Sequence, residues 1–166
     1  MLRVIFDTNI YGLLVIEEKL DLIRKKILAD GDFIIYGIGL IRKELRETPK
    51  GKKLGRLSQR NLLLSLYDDL TKGRYLSESI NINRLALKFY NAYRQYSGIK
   101  SWKEITIDFT IVACASIYKL DIIVSDDSHT MVSKPAMKAY KHITIKENLG
   151  MPNFWKYSDL RMKYDF

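Results

Sequence analysis

The stretch Leu2-Arg3-Val4-Ile5-Phe6-Asp7-Thr8-Asn9 decides the fold. Three apolar residues in a row end in an acid, a hydroxyl and an amide. A short apolar run bounded this way reads as a buried strand. Asp7 then stands at the strand's C-terminal end, the edge at which open α/β sheets carry their chemistry. A carboxylate there must be solvated, paired or metal-bound, because an isolated buried charge is costly. Asp7 is therefore a candidate first ligand of a divalent cation, with capping of the following helix as the plain alternative.

Outward from this stretch the pattern turns helical, with Asn9 the expected N-cap of a helix from about Ile10. Leu20, Ile23, Ile27 and Leu28 continue at helical spacing to the turn Asp30-Gly31-Asp32. Phe33-Ile34-Ile35-Tyr36 reads as a second buried strand, broken by Gly37 to Gly39. A helical pattern resumes over Leu40 to Glu47 and stops at Pro49. Lys50, Lys52, Lys53, Arg56 and Arg60 then populate an acid-free segment, read as an exposed loop entering a Leu-rich helix from Leu57 to Leu70.

Tyr75-Leu76 is a short extended piece. Ile82, Leu85, Ala86, Phe89, Tyr93 and Tyr96 form a stripe of helical period that Ser97-Gly98 ends. A helix over Trp102 to Tyr118 is apolar nearly all round and therefore packed on several sides. Ile122-Ile123-Val124 is a third strand, ending in Ser125-Asp126-Asp127, and His142-Ile143-Thr144-Ile145 is the expected fourth. Beyond Gly150 no element is readable. Strands separated by helices predict a mainly parallel sheet covered on both faces.

The 166 residues suit one domain over 1–166, with a basic insert at about 50–60 and an extension at about 150–166. No apolar run is long enough to cross a bilayer, and no basic region, apolar stretch and small-residue cleavage site follow one another at the N-terminus. The single cysteine, Cys114, excludes an internal disulfide framework and a Cys-based zinc site. A cytoplasmic setting is the expectation. The net charge of +9, with the basic residues clustered apart from the acids, favours a polyanionic partner.

The acids mark the chemistry. Asp7 and Asp127 end the first and third strands, and a parallel sheet brings such ends to one edge. Glu44 lies in the helix after the second strand, and Asp108 sits in the most apolar helix. Oxygen ligands converging without His or Cys select Mg²⁺ or Mn²⁺. Such a site suits phosphodiester hydrolysis, in which the metal activates water and offsets charge at phosphorus. Lys50, Lys52, Lys53, Arg56 and Arg60, together with Lys134, Lys138, Lys141 and Lys146, are candidates for phosphate contacts. Each acid also has a plain reading: Glu44 as a solvated helix residue, Asp108 as a first-turn acid, and Asp126-Asp127 as turn chemistry. Glu104 is read as a helix-start acid and His129 as a surface residue. Thr8, Asn9 and Ser125 either position carboxylates or satisfy backbone at the strand ends.

Four blocks in order carry a resemblance: Val4-Ile5-Phe6-Asp7-Thr8-Asn9, Glu44-Leu45, Asp108-Phe109-Thr110-Ile111-Val112-Ala113, and Ile123-Val124-Ser125-Asp126-Asp127-Ser128-His129. The chain resembles the PIN-domain nucleases, and most closely the toxin subunits of VapBC-type toxin–antitoxin pairs. The resemblance implies a Rossmann-like α/β/α sandwich and a Mg²⁺- or Mn²⁺-dependent endoribonuclease acting on RNA. Asp7, Glu44, Asp108 and Asp127 carry over as site acids, with Asp126 an alternative to Asp127, and with Asn9 and Ser125 in support. It also implies a homodimer and a small antitoxin protein. The basic insert and the extension are longer than in a compact toxin of this kind. An RNA-binding module on a degenerate nuclease scaffold is one rival reading. The other is an aspartate-nucleophile phosphohydrolase, which wants an acid where this chain has Asn9.

Overall fold

The computed structural model describes residues 1–166. Strand β1 (Leu2–Phe6) leads into helices α1 (Thr8–Val15) and α2 (Leu20–Ala29), and β2 (Phe33–Ile38) into α3 (Gly39–Arg46). A hairpin of two short strands, β3 (Lys53–Leu54) and β4 (Leu57–Ser58), precedes α4 (Gln59–Thr71). Then follow β5 (Tyr75–Leu76), α5 (Ile80–Gln95), α6 (Trp102–Ile117), β6 (Ile122–Val124), α7 (Lys134–Lys146), β7 (Asn153–Trp155) and α8 (Tyr157–Tyr164).

The central sheet has the order β5-β2-β1-β6-β7, and every pair in it is parallel. From β1 the chain steps outward to β2 and β5. It then returns to lay β6 on the free side of β1 and steps out again to β7. The winding reverses between β1 and β6, with Val4 opposite Ile122 and Phe6 opposite Val124. At such a reversal the connections leave in opposite directions and open a crevice at the C-terminal strand ends. Right-handed crossovers place the two sets of helices on opposite faces. Helices α1 to α4 and α8 pack with one another, as do α5 to α7. The expected Rossmann-like α/β/α sandwich is thus the observed architecture. One continuous apolar core runs from Val4 in β1 to Tyr164 in α8. No helix is long and apolar enough to cross a membrane.

Several elements differ from expectation. Residues 142–145 are not a strand but the last turn of α7. Their β-branched alternation is local. The longer stripe Ala136, Ala139, Tyr140, Ile143 and Thr144 is buried at helical spacing, and Pro135 in the first turn pre-sets the helix start. The fifth strand comes instead from the extension: β7 pairs with β6, and α8 follows it. The cap of α1 is Asp7 rather than Asn9, so the helix begins at Thr8. The acid-free segment folds as the β3–β4 hairpin, and its helix begins at Gln59 rather than Leu57. Gly37 does not break β2 but continues it. A Cβ there would collide with the ring of Tyr67, whose hydroxyl donates to the Ile38 carbonyl at 2.9 Å.

Candidate functional site

Asp7 is the first residue beyond β1, and its backbone N–H still donates to the Val124 carbonyl at 2.9 Å. The strand ladder therefore fixes its position before its side chain does anything. Both carboxylate oxygens are then held. Oδ1 accepts from Thr8 N at 2.7 Å, and Oδ2 accepts from Asn9 Nδ2 and Ser125 Oγ, each at 2.7 Å. Ser125 stands one residue beyond β6, so the bond from its hydroxyl joins the two strands at the winding reversal. Ser125 Oγ in turn accepts from Asp127 N at 3.1 Å, which sets the turn that carries the next acid.

Two further acids are tied in through hydroxyls. Thr8 Oγ1 donates to Glu44 Oε2 at 2.5 Å and so links α3 to the start of α1. Across the crevice, Thr130 Oγ1 lies within hydrogen-bond distance of both Asp108 Oδ2 and Asp127 Oδ2. Asp127 Oδ1 also accepts the backbone N–H of His129 and Thr130, at 3.0 and 2.9 Å. A threonine hydroxyl has one proton to donate, so it cannot serve two ionised carboxylates at once. Either one carboxyl supplies a second proton or a cation takes its place. Asp108 is the seventh residue of α6, beyond the first turn, so helix capping does not account for it.

Electrostatics agrees. Burial pushes the Asp7 carboxyl up to about 6, against the Ser125 and Thr8 hydrogen bonds, with the charges of Glu44 and Asp127 adding to the rise. Burial pushes Asp108 up to about 7, opposed by the Thr130 hydroxyl and reinforced by the charges of Asp7, Asp127 and Glu44. No lysine or arginine forms an ion pair with any of the four.

The structure thus brings Asp7, Glu44, Asp108 and Asp127 into one cluster of interacting charges, with Thr8, Asn9, Ser125 and Thr130 as their hydrogen-bond partners. It does not bring Asp126 there. That carboxylate is turned towards α8, where Oδ1 accepts Tyr157 N at 2.8 Å. Glu104 is a helix-start acid, its Oε2 accepting Ser101 N and Ser101 Oγ at 2.8 Å each. His129 is exposed. Lys50, Lys52, Lys53 and Arg56 are exposed and form no ion pair, whereas Arg60 is half-buried and donates through Nε to the Thr48 carbonyl at 2.6 Å. Arg60 therefore anchors the hairpin. Sequence reasoning missed Thr130. Its one signal was position, three residues after Asp127 in a turn of the kind Asp nucleates.

The donor set is carboxylate, hydroxyl and amide oxygen throughout, which suits a hard divalent cation. No three of the acids stand gathered around a common point in the observed rotamers. The fit is one of chemistry and convergence, and coordination requires side-chain rotation. Compared with known proteins, the sequence matches no family model and no curated protein.

Proposed function

We propose that the chain is a Mg²⁺- or Mn²⁺-dependent endoribonuclease of the PIN type, hydrolysing phosphodiester bonds in RNA. The observation that carries this reading is a set of four acids, from four separate parts of the chain, facing one crevice with no basic partner. Clustered carboxylates repel one another and raise each other's proton affinity, so the arrangement costs stability unless a cation joins it. Asp7, Asp108 and Asp127 would hold that cation, with Glu44 as the fourth acid. When bound, it activates water and offsets negative charge building on the phosphoryl oxygens.

The remaining residues hold these acids in register. Asn9 and Ser125 fix the Asp7 carboxylate, Thr8 fixes Glu44, and Thr130 keeps Asp108 and Asp127 side by side. The unpaired Lys50, Lys52, Lys53 and Arg56 supply phosphate contacts. A homodimer, a cytoplasmic setting and a small antitoxin protein that covers the acids belong to the same proposal. Against a phosphohydrolase with Asp7 as nucleophile stands Asn9, an amide donor to Asp7 where that chemistry needs an acid.

The test is incubation of the protein with single-stranded RNA in Mg²⁺, in Mn²⁺ and in chelator. Cleavage should require the metal and vanish in Asp7→Asn and Asp108→Asn, both still folded. Tight binding without cleavage in any metal would favour the RNA-binding module. Release of phosphate from a small phosphomonoester would favour the phosphohydrolase.

A further inference from the structure

Beside the acids the surface sinks into a second depression, which none of the acid chemistry uses. Its walls come from the turn after β6 (Ser125, Asp126, Ser128) and from α8 with the residue before it (Lys156, Ser158, Arg161). Ser125 is common to both places: its hydroxyl donates to Asp7, yet the residue lines this depression. Lys156 forms no ion pair. Arg161 pairs with no Asp or Glu side chain, and its Nε donates to the main-chain oxygen of Phe166 at 2.9 Å, which holds the guanidinium between this depression and a neighbouring hollow that Glu17, Glu18 and Asp165 line. The one acid present, Asp126, is engaged by the backbone N–H of Tyr157. Two cations against one acid leave the walls net positive, and Ser128 and Ser158 add hydroxyl donors. Fixed cations and hydroxyls around an open concavity are the chemistry of phosphate recognition.

We propose that this depression binds a phosphate of the RNA strand next to the one cleaved, with Lys156 and Arg161 as its charged contacts. The proposal rests on the endoribonuclease reading and deepens it. It assigns a role in substrate binding to the extension and turns Asp126 from a candidate metal ligand into a wall of the substrate groove. Phosphate held here continues the strand past the acids, because Ser125 both binds Asp7 and lines the depression.

The test measures binding and cleavage separately. Binding of a fluorescent single-stranded RNA decamer is followed by anisotropy, with Ca²⁺ replacing Mg²⁺ so that binding is read apart from turnover. Lys156→Ala with Arg161→Ala should weaken it about tenfold and lower the slope of log affinity against log salt by about 0.7, the value for one phosphate released on a single strand. Asp126→Asn keeps an acceptor for Tyr157 N and should tighten binding. Lys156→Arg with Arg161→Lys should retain most affinity, which separates lost charge from lost folding. Replacing single phosphates of the decamer by neutral methylphosphonates should expose one position that costs affinity in the wild type and nothing in the alanine double variant.

Unchanged affinity and slope in the double variant overturn the subsite. So does a methylphosphonate profile identical in both proteins. Inorganic phosphate is the competing source of the same chemistry. If it binds the wild type at sub-millimolar concentration while RNA affinity ignores the double substitution, the depression is a free-anion site and the strand assignment falls. Cleavage in Mg²⁺ distinguishes the two levels. Metal-dependent cleavage with KM unaltered by the double variant removes the subsite alone, whereas absent cleavage with the binding effects intact removes the nuclease reading alone.

Discussion

The two sides of the crevice are built differently. On the β1 side, Asp7 meets three donors, one of them Ser125 just beyond β6, and its backbone is part of the sheet ladder. On the α6 side, Asp108 meets one hydroxyl, which it shares with Asp127. The first carboxylate is positioned whether or not anything binds. Asp127 is fixed as well, by the N–H groups of His129 and Thr130, so Asp108, with its one shared hydroxyl, is the least constrained of the three. A site so divided keeps Asp7 and Asp127 preorganised and leaves Asp108 adjustable, which is consistent with the absence of a ready-made group of three acids.

The sharpest way to break this contrast is Asp7→Asn. Asparagine keeps the shape, and its oxygen still accepts one hydrogen bond. Metal-dependent RNA cleavage should nevertheless fall by more than the roughly hundredfold that loss of a supporting partner reaches. Residual cleavage within tenfold of wild type would show that the preorganised acid is not a ligand.

Stability against pH is the next lever. Asp7, up to about 6, and Asp108, up to about 7, hold protons in the fold where the unfolded chain, at the ordinary 3.8, has released them. The stability they contribute is full below about pH 4 and is lost as pH rises through about 6 and 7. At 1.36 kcal/mol per unit the larger shift alone corresponds to about 4 kcal/mol, so the metal-free protein should lose several kcal/mol between pH 4 and 8, measured by urea unfolding. Asp68, held low by Arg42, and Asp30, held low by Lys163, act at the acid end and leave this window to the two buried acids. Mg²⁺ at a hundred times its Kd should return about 2.7 kcal/mol at pH 8 and close to nothing at pH 4. Asp108→Asn should flatten the profile, and an equally steep one would place its cause elsewhere.

Thr130→Val tests the adjustable side directly. It leaves Asp108 and Asp127 facing each other with no hydroxyl between them, and metal affinity by calorimetry should drop about tenfold. Ser125→Ala, on the preorganised side, should cost less, because Asp7 keeps its other donors. The smallest effect on the acids is expected from Lys52, Lys53 and Arg56 changed together to alanine. Metal affinity and melting temperature should stay as they are, while RNA affinity and its salt dependence fall. Unchanged RNA affinity would take the hairpin off the binding surface.

How much of this was legible beforehand divides along similar lines. β1, β2 and β6 are apolar runs with turn residues after them, so their ends and the acids on those ends could be read directly. Asp108 stood out because α6 is otherwise apolar. What escaped reading is set by tertiary pairing. Asn153-Phe154-Trp155 has no periodicity of its own and becomes a strand because β6 offers it a free edge. Residues 142–145 look like a strand when taken alone, and only the burial of Ala136, Ala139 and Tyr140 one and two turns earlier makes them helical. Thr130 carries no chemistry by itself and gains a role from the two acids that the fold places against it.

That pairing at the sheet margin reaches further than its three residues suggest. The Trp155 carbonyl accepts the N–H of Ser125 at 2.9 Å, and the hydroxyl of the same serine holds Asp7. A protein trimmed after Gly150 would uncover the flank of Ile122-Ile123-Val124, an apolar edge open to strand pairing between molecules. It would also free the serine that steadies the first acid. Shortening this chain for expression, or threading a fusion through its final strand, would cost solubility and the alignment of the first acid together.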